Sequence, residues 1–314
     1  MKFAVVVVTF NRKVMLGECL QALLRQTRVP DHIYLVDNAS SDGTPQYLRD
    51  AGLMDHPKIS YQRLEKNTGG AGGFHAGLKT AFEAGNDWIW IMDDDAEPLP
   101  DALEKLLPYT EYPQVVGIAS LKKDLNGADL VDVKPVVGVA APPQFPYQRL
   151  QFSSFVGVAF SHAAMTKIGL PRAEFFLHHD DTEYCLRLLA TGDIAYAPES
   201  VVIHKEARGA DRFKKRFGRQ FRVFPTDRYC MGYFGRRNGM WMDIHTGLRR
   251  PGRRSLAVHL VQTGKHLLRA TLIDREDLWV RYTICVRSFL DALRGHFDND
   301  LPFRLRARLS KATR

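Results

Sequence analysis

The sequence contains no stretch of 18 or more uncharged apolar residues, so no membrane-spanning helix is expected. Its opening, MKFAVVVVTFNR, has a short apolar run but neither the length nor the small-residue cleavage site of a signal peptide. That run reads instead as a buried first strand. Cysteine is scarce, and Cys19, Cys185, Cys230 and Cys285 lie far apart in no metal-ligand spacing. They read as reduced thiols, which favours a cytoplasmic location. No internal repeat or low-complexity tract is present. Two phosphate-binding signatures are also missing: the first strand is not followed by G-x-G-x-x-G, and no glycine loop ends in the Lys-Ser/Thr of a P-loop.

What remains is an ordinary globular composition, 45% apolar and 25% charged over 314 residues. That length allows one large domain, or one domain with an extension. The net charge of +9 is unevenly spread. Residues 205–314 hold 26 Lys and Arg against 10 Asp and Glu, whereas residues 1–204 hold 18 against 25. A basic C-terminal third points to an anionic surface, phospholipid headgroups or nucleic acid, or simply to a solvated basic face.

The first hundred residues alternate strand and helix signals. FAVVVVTF is a continuous β-branched run of the kind expected for a strand covered on both faces. Residues 14–26 carry apolar positions at helical spacing, HIYLVDN reads as a second strand, and SSDGTPQYL opens another helix. KISYQRL, GGFHAGLKTAFEAG and WIWIMD read as strand, helix and strand. This alternation predicts a parallel, doubly wound α/β sheet, in which ligands gather at the carboxyl ends of the strands. Residues 115–160 read as strands with loops. A helix is expected near 182–191, followed by a short strand, with amphipathic helices near 255–270 and 276–293.

Polar motifs fall at those strand ends. Thr9, Asn11 and Arg12 follow the first strand, Asp37 and Asn38 the second, the glycine-rich NTGGAGG the third, and Asp93, Asp94 and Asp95 the fourth. A D-x-D at a strand end suits a hard divalent cation that also touches phosphate oxygens, because such ions take one or two carboxylates plus substrate oxygens. An ordinary acidic turn has the same residues. Clustered glycines before a helix allow close approach of an anion to its N-terminus, and a flexible loop is the bland alternative. In HHDDTEY, Asp180 and Asp181 can raise one another's pKa and supply a general base, or Asp181 can cap the following helix. His204, at a strand end in VVIHK, is ordinary alone, but a D-x-D metal needs a third protein ligand.

Together, VVVVTFNR, LVDNASSDGT, NTGGAGG, MDDDAEP, FFLHHDDTEYCLRLLATG and VVIHK, in that order over about residues 3–206, resemble the family 2 glycosyltransferases of GT-A fold. Within that family the doubled glycines and the all-acidic DDD most resemble bacterial galactofuranosyltransferases, with rhamnosyltransferases next. The resemblance implies a GT-A mixed α/β sheet flanked by helices over residues 1–207, and a basic, mostly helical region over 208–314. It implies that Thr9, Asn11, Arg12 and Asp37 hold the nucleoside and diphosphate, Asp37 at the uracil or ribose. Asn67, Gly69, Gly70, Gly72 and Gly73 would line the sugar-nucleotide pocket. Asp93, Asp95 and His204 would bind Mn²⁺ or Mg²⁺, with Asp94 beside the substrate. Asp181 would be the catalytic base and Asp180 its support. His179 stands where a tryptophan is common in galactofuranosyltransferases, which places the acceptor side in question. Arg237, in RRNGMW, resembles an Arg-Asn motif facing diphosphate or acceptor.

The implied reaction is inverting transfer of a sugar, with UDP-galactofuranose the favoured donor and dTDP-rhamnose the alternative, to a cell-envelope glycan or lipid-linked glycan acceptor. Because the chain begins at the catalytic domain, one or a few additions are expected rather than a polymer. RFKKRFGRQFR, read as a helix, would put Phe213, Phe217 and Phe221 on one face against an anionic membrane at the inner face of the plasma membrane. A homo-oligomer is compatible with this reading. A nucleic-acid-binding protein fits poorly, since the acidic half repels phosphate and no recognised motif occurs. A nucleotidyltransferase would need a Lys- or Arg-bearing glycine loop after the first strand, and TFNRKVML supplies none.

Overall fold

The computed structural model describes residues 1–130, 133–135, 146–205, 212–216, 218–247 and 253–312. The chain divides into two compact units, Met1–Ala173 with Asp180–Ala207, and Glu174–His179 with Arg208–Arg314. The second unit therefore takes a short segment from within the span expected to be wholly catalytic.

In the first unit β1 (Phe3–Thr9), α1 (Lys13–Leu24), β2 (His32–Asp37), α2 (Thr44–Asp50), β3 (Ile59–Arg63), α3 (Gly69–Glu83) and β4 (Trp88–Asp93) alternate as the periodicity predicts. There follow β5 (Ala96–Pro98), β6 (Val115–Lys123), β7 (Val133–Pro135), β8 (Gln148–Ser153), β9 (Val158–Ser161), α4 (His162–Ile168), α5 (Asp180–Leu188) and β10 (Asp193–His204). The sheet runs β3-β2-β1-β4-β9-β6-β10-β8-β7, with β5 paired to β10. Strands β3, β2, β1 and β4 pair in parallel with one another, and β9 runs antiparallel between β4 and β6, so the sheet is mixed.

The β-branched run of β1 is buried throughout because helices cover both sheet faces. Val5 and Val7 pack in one cluster with Leu16 and Leu20 of α1. Val6 and Val8, pointing the other way, pack with Phe74 and Leu78 of α3. Helix α3 starts at Gly69, earlier than the GGFHAG pattern suggests, so the glycines form its first turns and not a loop before it. Their main use is contact: a Cβ on Gly73 would lie 2.5 Å from Val8 Cγ1, and one on Gly77 2.4 Å from Val6 Cγ1. Strand β10 is longer than the short strand expected, and α5 begins two residues before the predicted start. Helix α4 was not anticipated.

The second unit contains a hairpin, β11 (Arg212–Arg216) and β12 (Arg219–Val223), and the helices α6 (Thr226–His245), α7 (Arg253–Arg269), α8 (Leu278–Arg294) and α9 (Leu301–Ala312). Phe176, Tyr233, Phe234, Val280, Ile284 and Leu301 form its core. Helices α7 and α8 sit where the amphipathic pattern places them, whereas α6 and α9 were missed. The helical reading of RFKKRFGRQFR is corrected. Phe213 pairs with Arg222 and Lys214 with Phe221, so Phe213 and Phe221 lie on opposite faces of the hairpin. Gly218, at φ +73°, makes the left-handed turn that a helix cannot contain. Phe217 lies outside the described residues.

Candidate active site

The end of β4 is organised around Asp94. Thr9 Oγ1, at the end of β1, donates to Asp94 Oδ2 at 2.7 Å, and the Phe10 amide donates to the same oxygen at 3.2 Å. Arg12 Nη1 reaches Asp95 Oδ2 at 2.9 Å and Asp94 Oδ1 at 3.4 Å. The like charges of the triplet are thus offset by one half-exposed guanidinium and several neutral donors. Thr9 itself is buried, so its hydroxyl serves the triplet. Asn11, at φ +58°, binds the next strand end instead: its amide donates to Ser40 Oγ and its Oδ1 accepts from the Ser41 amide.

Pairing of β5 with β10 sets Ala96 opposite His204 and brings a residue more than a hundred positions away to the triplet. His204 Nε2 lies 3.4 Å from Asp95 Oδ1. Burial and the neighbouring Asp95 and Asp94 push the Asp93 carboxyl up to about 7. Burial also raises Asp94, to about 6, against the pull of Thr9 and Arg12. Burial acts on Asp95 in the same direction, yet His204 and Arg12 outweigh it and hold that carboxyl below its usual range.

Asp95 Oδ1 is buried and meets no donor in hydrogen-bonding geometry, an orphaned oxygen of the kind an ion satisfies. Asp93 and His204 add a carboxylate and an imidazole. Among the described residues no three His, Cys, Asp or Glu side chains are gathered closely enough to hold an ion unaided.

Asp37 is fully buried and its oxygens are engaged. Oδ1 accepts from the Ser40 amide at 2.7 Å, and Oδ2 accepts from Tyr61 at 2.6 Å and Arg63 at 3.0 Å. Sequence reasoning missed both side-chain partners, although Arg63 faces Asp37 directly across β2 and β3. Asn38 and Asn67 shape the entry to α3. Asn38 Oδ1 accepts from the Thr68 amide, its Nδ2 donates to the Gly69 carbonyl, and Asn67 Oδ1 accepts from the Gly69 amide. Gly72 is packed tightly against Thr68, as Gly73 is against Val8, while Gly70 is partly exposed with nothing within 4 Å of its would-be Cβ. The glycines thus divide between packing and open surface.

Asp180 and Asp181 open α5. Asp181 Oδ1 accepts from the Thr182 amide at 2.6 Å and its hydroxyl at 3.1 Å, from inside the first turn and not as a preceding cap. Glu183 is a structural acid, held by Arg172 and Arg187 at 3.0 and 2.8 Å. Asp180 is different. Burial first, then repulsion by Asp181 and by Asp93, raises its carboxyl well above the usual range. The carboxylate pair and the triplet are therefore close enough to feel each other's charge.

In the second unit, Arg237 has no exposed surface. Its guanidinium donates to Asn238 Oδ1, Asn299 Oδ1 and the Phe175 carbonyl at 2.9, 2.9 and 3.0 Å, and lies beside the rings of Tyr233, Phe234 and Phe297. The expectation that Arg237 meets substrate is corrected: it is walled in by aromatics and occupied by carbonyls. Asn238 Nδ2, also missed, lies within hydrogen-bond distance of the carbonyls of Phe175, Leu177 and His178. These bonds hold a strained segment, with φ of +64°, +67° and +66° at Phe176, His178 and His179. His179 lies over Gly239, where an added Cβ would stand 3.0 Å from its Nε2.

A mixed sheet flanked by helices, with an acidic strand end near an acidic helix start, matches the GT-A fold of glycosyltransferases. The chain belongs to glycosyl transferase family 2, which matches residues 4–166. It is similar to galactofuranosyltransferase GlfT1 of Mycolicibacterium smegmatis, 27% identical over 78% of this chain and 84% of that protein. It also resembles N-acetylglucosaminyl-diphospho-decaprenol L-rhamnosyltransferase of Mycobacterium tuberculosis, 24% identical over 66% of this chain and 77% of that one. Among solved structures, S. aureus TarS 1–349 with UDP superposes at a TM-score of 0.55 with 16% identity, covering 98% of this chain and 87% of TarS. The mannosyltransferase PcManGT of Pyrobaculum calidifontis, solved with GDP-Man and Mn²⁺, superposes at 0.52 with 14% identity, over 93% and 87%. The protein is a glycosyltransferase, similar to a galactofuranosyltransferase and to a rhamnosyltransferase. Among the described residues no helix is long and apolar enough to cross a membrane.

Proposed function

We propose that the chain transfers a sugar, with galactofuranose from UDP-galactofuranose favoured, to a hydroxyl of a cell-envelope or lipid-linked glycan, with inversion at the anomeric carbon. The observation that carries this reading is the meeting, in one unit, of the Asp93–Asp95 triplet and His204 with the Asp180–Asp181 pair. Similarity to GlfT1 over most of both chains supports the choice of sugar.

Asp181 takes the proton from the acceptor hydroxyl as that oxygen attacks the anomeric carbon. One displacement suffices, so no covalent sugar–enzyme intermediate forms. This differs from hydrolase chemistry, in which a second carboxyl protonates the leaving group. Asp180, whose carboxyl is made harder to ionise by burial and by the adjacent Asp181, supports that base. Asp93, Asp95 and His204 would hold a divalent cation, which when bound offsets charge on the departing diphosphate. Thr9 and Arg12 keep Asp94 and Asp95 in place, and Asn67 and Gly70 offer polar, open surface to the sugar nucleotide.

The test is thermal stabilisation by nucleotide and Mn²⁺, singly and together, followed by a panel of sugar nucleotides that includes UDP-galactofuranose and dTDP-rhamnose. Stabilisation by UDP that requires Mn²⁺, with turnover of UDP-galactofuranose, is expected. No shift with either UDP or dTDP would sink the transferase reading, and turnover of dTDP-rhamnose alone would replace the donor.

A further inference from the structure

Helices α6, α7 and α8 border a half-open pocket of about 190 Å³ in the second unit, lined also by His179. That volume holds several waters at about 30 Å³ each, enough for a phosphoryl group with part of its hydration. The motif HLVQTGKH on α7 places His259, Thr263 and His266 four and three residues apart, on one helical face, and all three line the cavity. Gln262, Thr263 and His266 make no side-chain hydrogen bond among the described residues.

Arg236 enters from α6. One terminal nitrogen donates to the Tyr229 carbonyl at 2.9 Å, but the buried Nε has no acceptor. Space comes from Gly235 and Gly239, one turn apart on α6. The Asp243 carboxylate, which is not part of the lining, sits behind His259 and holds its Nε2 at 2.9 Å. Burial, then the positive charges of Arg236 and Arg269, depress the basicity of His266. The lining is therefore rich in unspent donors, lies in a positive field and has apolar wall at Met240 and Phe289.

We infer that this cavity binds the phosphoryl group of a diphosphate-bearing lipid acceptor, with Arg236, Thr263 and His266 as its donors. The choice of an acceptor rests on the transferase reading; the binding chemistry itself does not.

Titration calorimetry of the full chain with geranyl diphosphate, without divalent cation, tests it. Saturable binding is expected, weakened about tenfold by His266→Gln or Thr263→Val, the loss of one charge-assisted hydrogen bond. Binding should be unchanged by Asp95→Asn and weaker for inorganic diphosphate. Wild-type affinity in both cavity variants overturns the site. Loss of binding in Asp95→Asn assigns the ligand to the other acidic crevice, and equal affinity for inorganic diphosphate overturns a lipid-borne source. Thr263→Val keeps the test decisive should His266→Gln fail to fold. Transfer activity is never read, so failure of the transferase reading leaves this result separable.

Discussion

Each of the two units buries charge, and they do so in opposite ways. In the first, Asp94 and Asp95 crowd together beside Asp93, whose charge Asp180 also feels, and burial pushes Asp94 and Asp180 above their ordinary range. In the second, Arg237 is equally buried but satisfied by carbonyls and aromatic faces, whereas Arg281, held by the Phe224 carbonyl and Thr226 with Asp274 3.6 Å away, keeps an Nε without an acceptor. Satisfied charge builds architecture. Frustrated charge has a cost in stability, and a ligand can recover it. The contrast sorts the buried polar residues into those whose loss should cost activity and those whose loss should cost folding.

The largest effect is expected at Asp181. Asp181→Asn should lower transfer by about 10²–10⁴-fold, the range for a general base, while nucleotide affinity and melting temperature stay near wild type. Turnover within tenfold of wild type would reassign the base. Arg237→Met should do the reverse. Stripping a buried cation from its carbonyls should destabilise the protein by about 3 kcal/mol, read as an earlier denaturant midpoint. Asn238→Ala should cost about 2 kcal/mol, since the carbonyls of Phe175, Leu177 and His178 lose their donor. If either variant kept full stability but lost substrate affinity, the distinction between the units would fail.

Asp180 sharpens the comparison, because it belongs to the frustrated class and its loss should help folding. Its folded pKa is raised, so its contribution to stability is complete below the unfolded value of about 4 and is lost as pH rises toward the folded value. Asp180→Asn should therefore gain about 1 kcal/mol on wild type near pH 7, and the gap should close below pH 4, while kcat falls. Denaturation measured across that pH range checks the sign. A destabilised Asn variant at pH 7 would mean that the ionised form is the one the fold supports.

The fold of the first unit was legible because its signals are local. Unbroken β-branched runs, helical spacing and turn residues each lie within one element, and the strand ends of β1 to β4 carry their polar residues in sequence order. His204 could be named from resemblance, but only the β5–β10 pairing explains how it reaches Asp95. The partners of Asp37 required a register between β2 and β3 that no local pattern states. Helix α6 was missed because Gly232, Gly235 and Gly239 dilute its helical signal. Those same glycines hid the clamp: Arg237 reads as a group facing diphosphate or acceptor until the helix buries it together with Asn238. The hairpin was misread because Phe spaced by four satisfies a helical template, while Gly218 between the strands carried the decisive information.

That correction makes the smallest prediction and bears on membrane association. With Phe213 and Phe221 on opposite faces, the hairpin cannot present three rings to a lipid interface, and Phe213 is the more exposed of the two. Phe213→Ser should change stability by no more than about 0.5 kcal/mol, as for other surface positions. Its effect on sedimentation with anionic vesicles should be similarly small. Cations survive the substitution, so any binding driven by charge would persist and weaken with salt. A loss of vesicle binding in Phe213→Ser would show that one ring inserts, and would restore a lipid role to this segment on one face of a hairpin, with the opposite face left to Phe221.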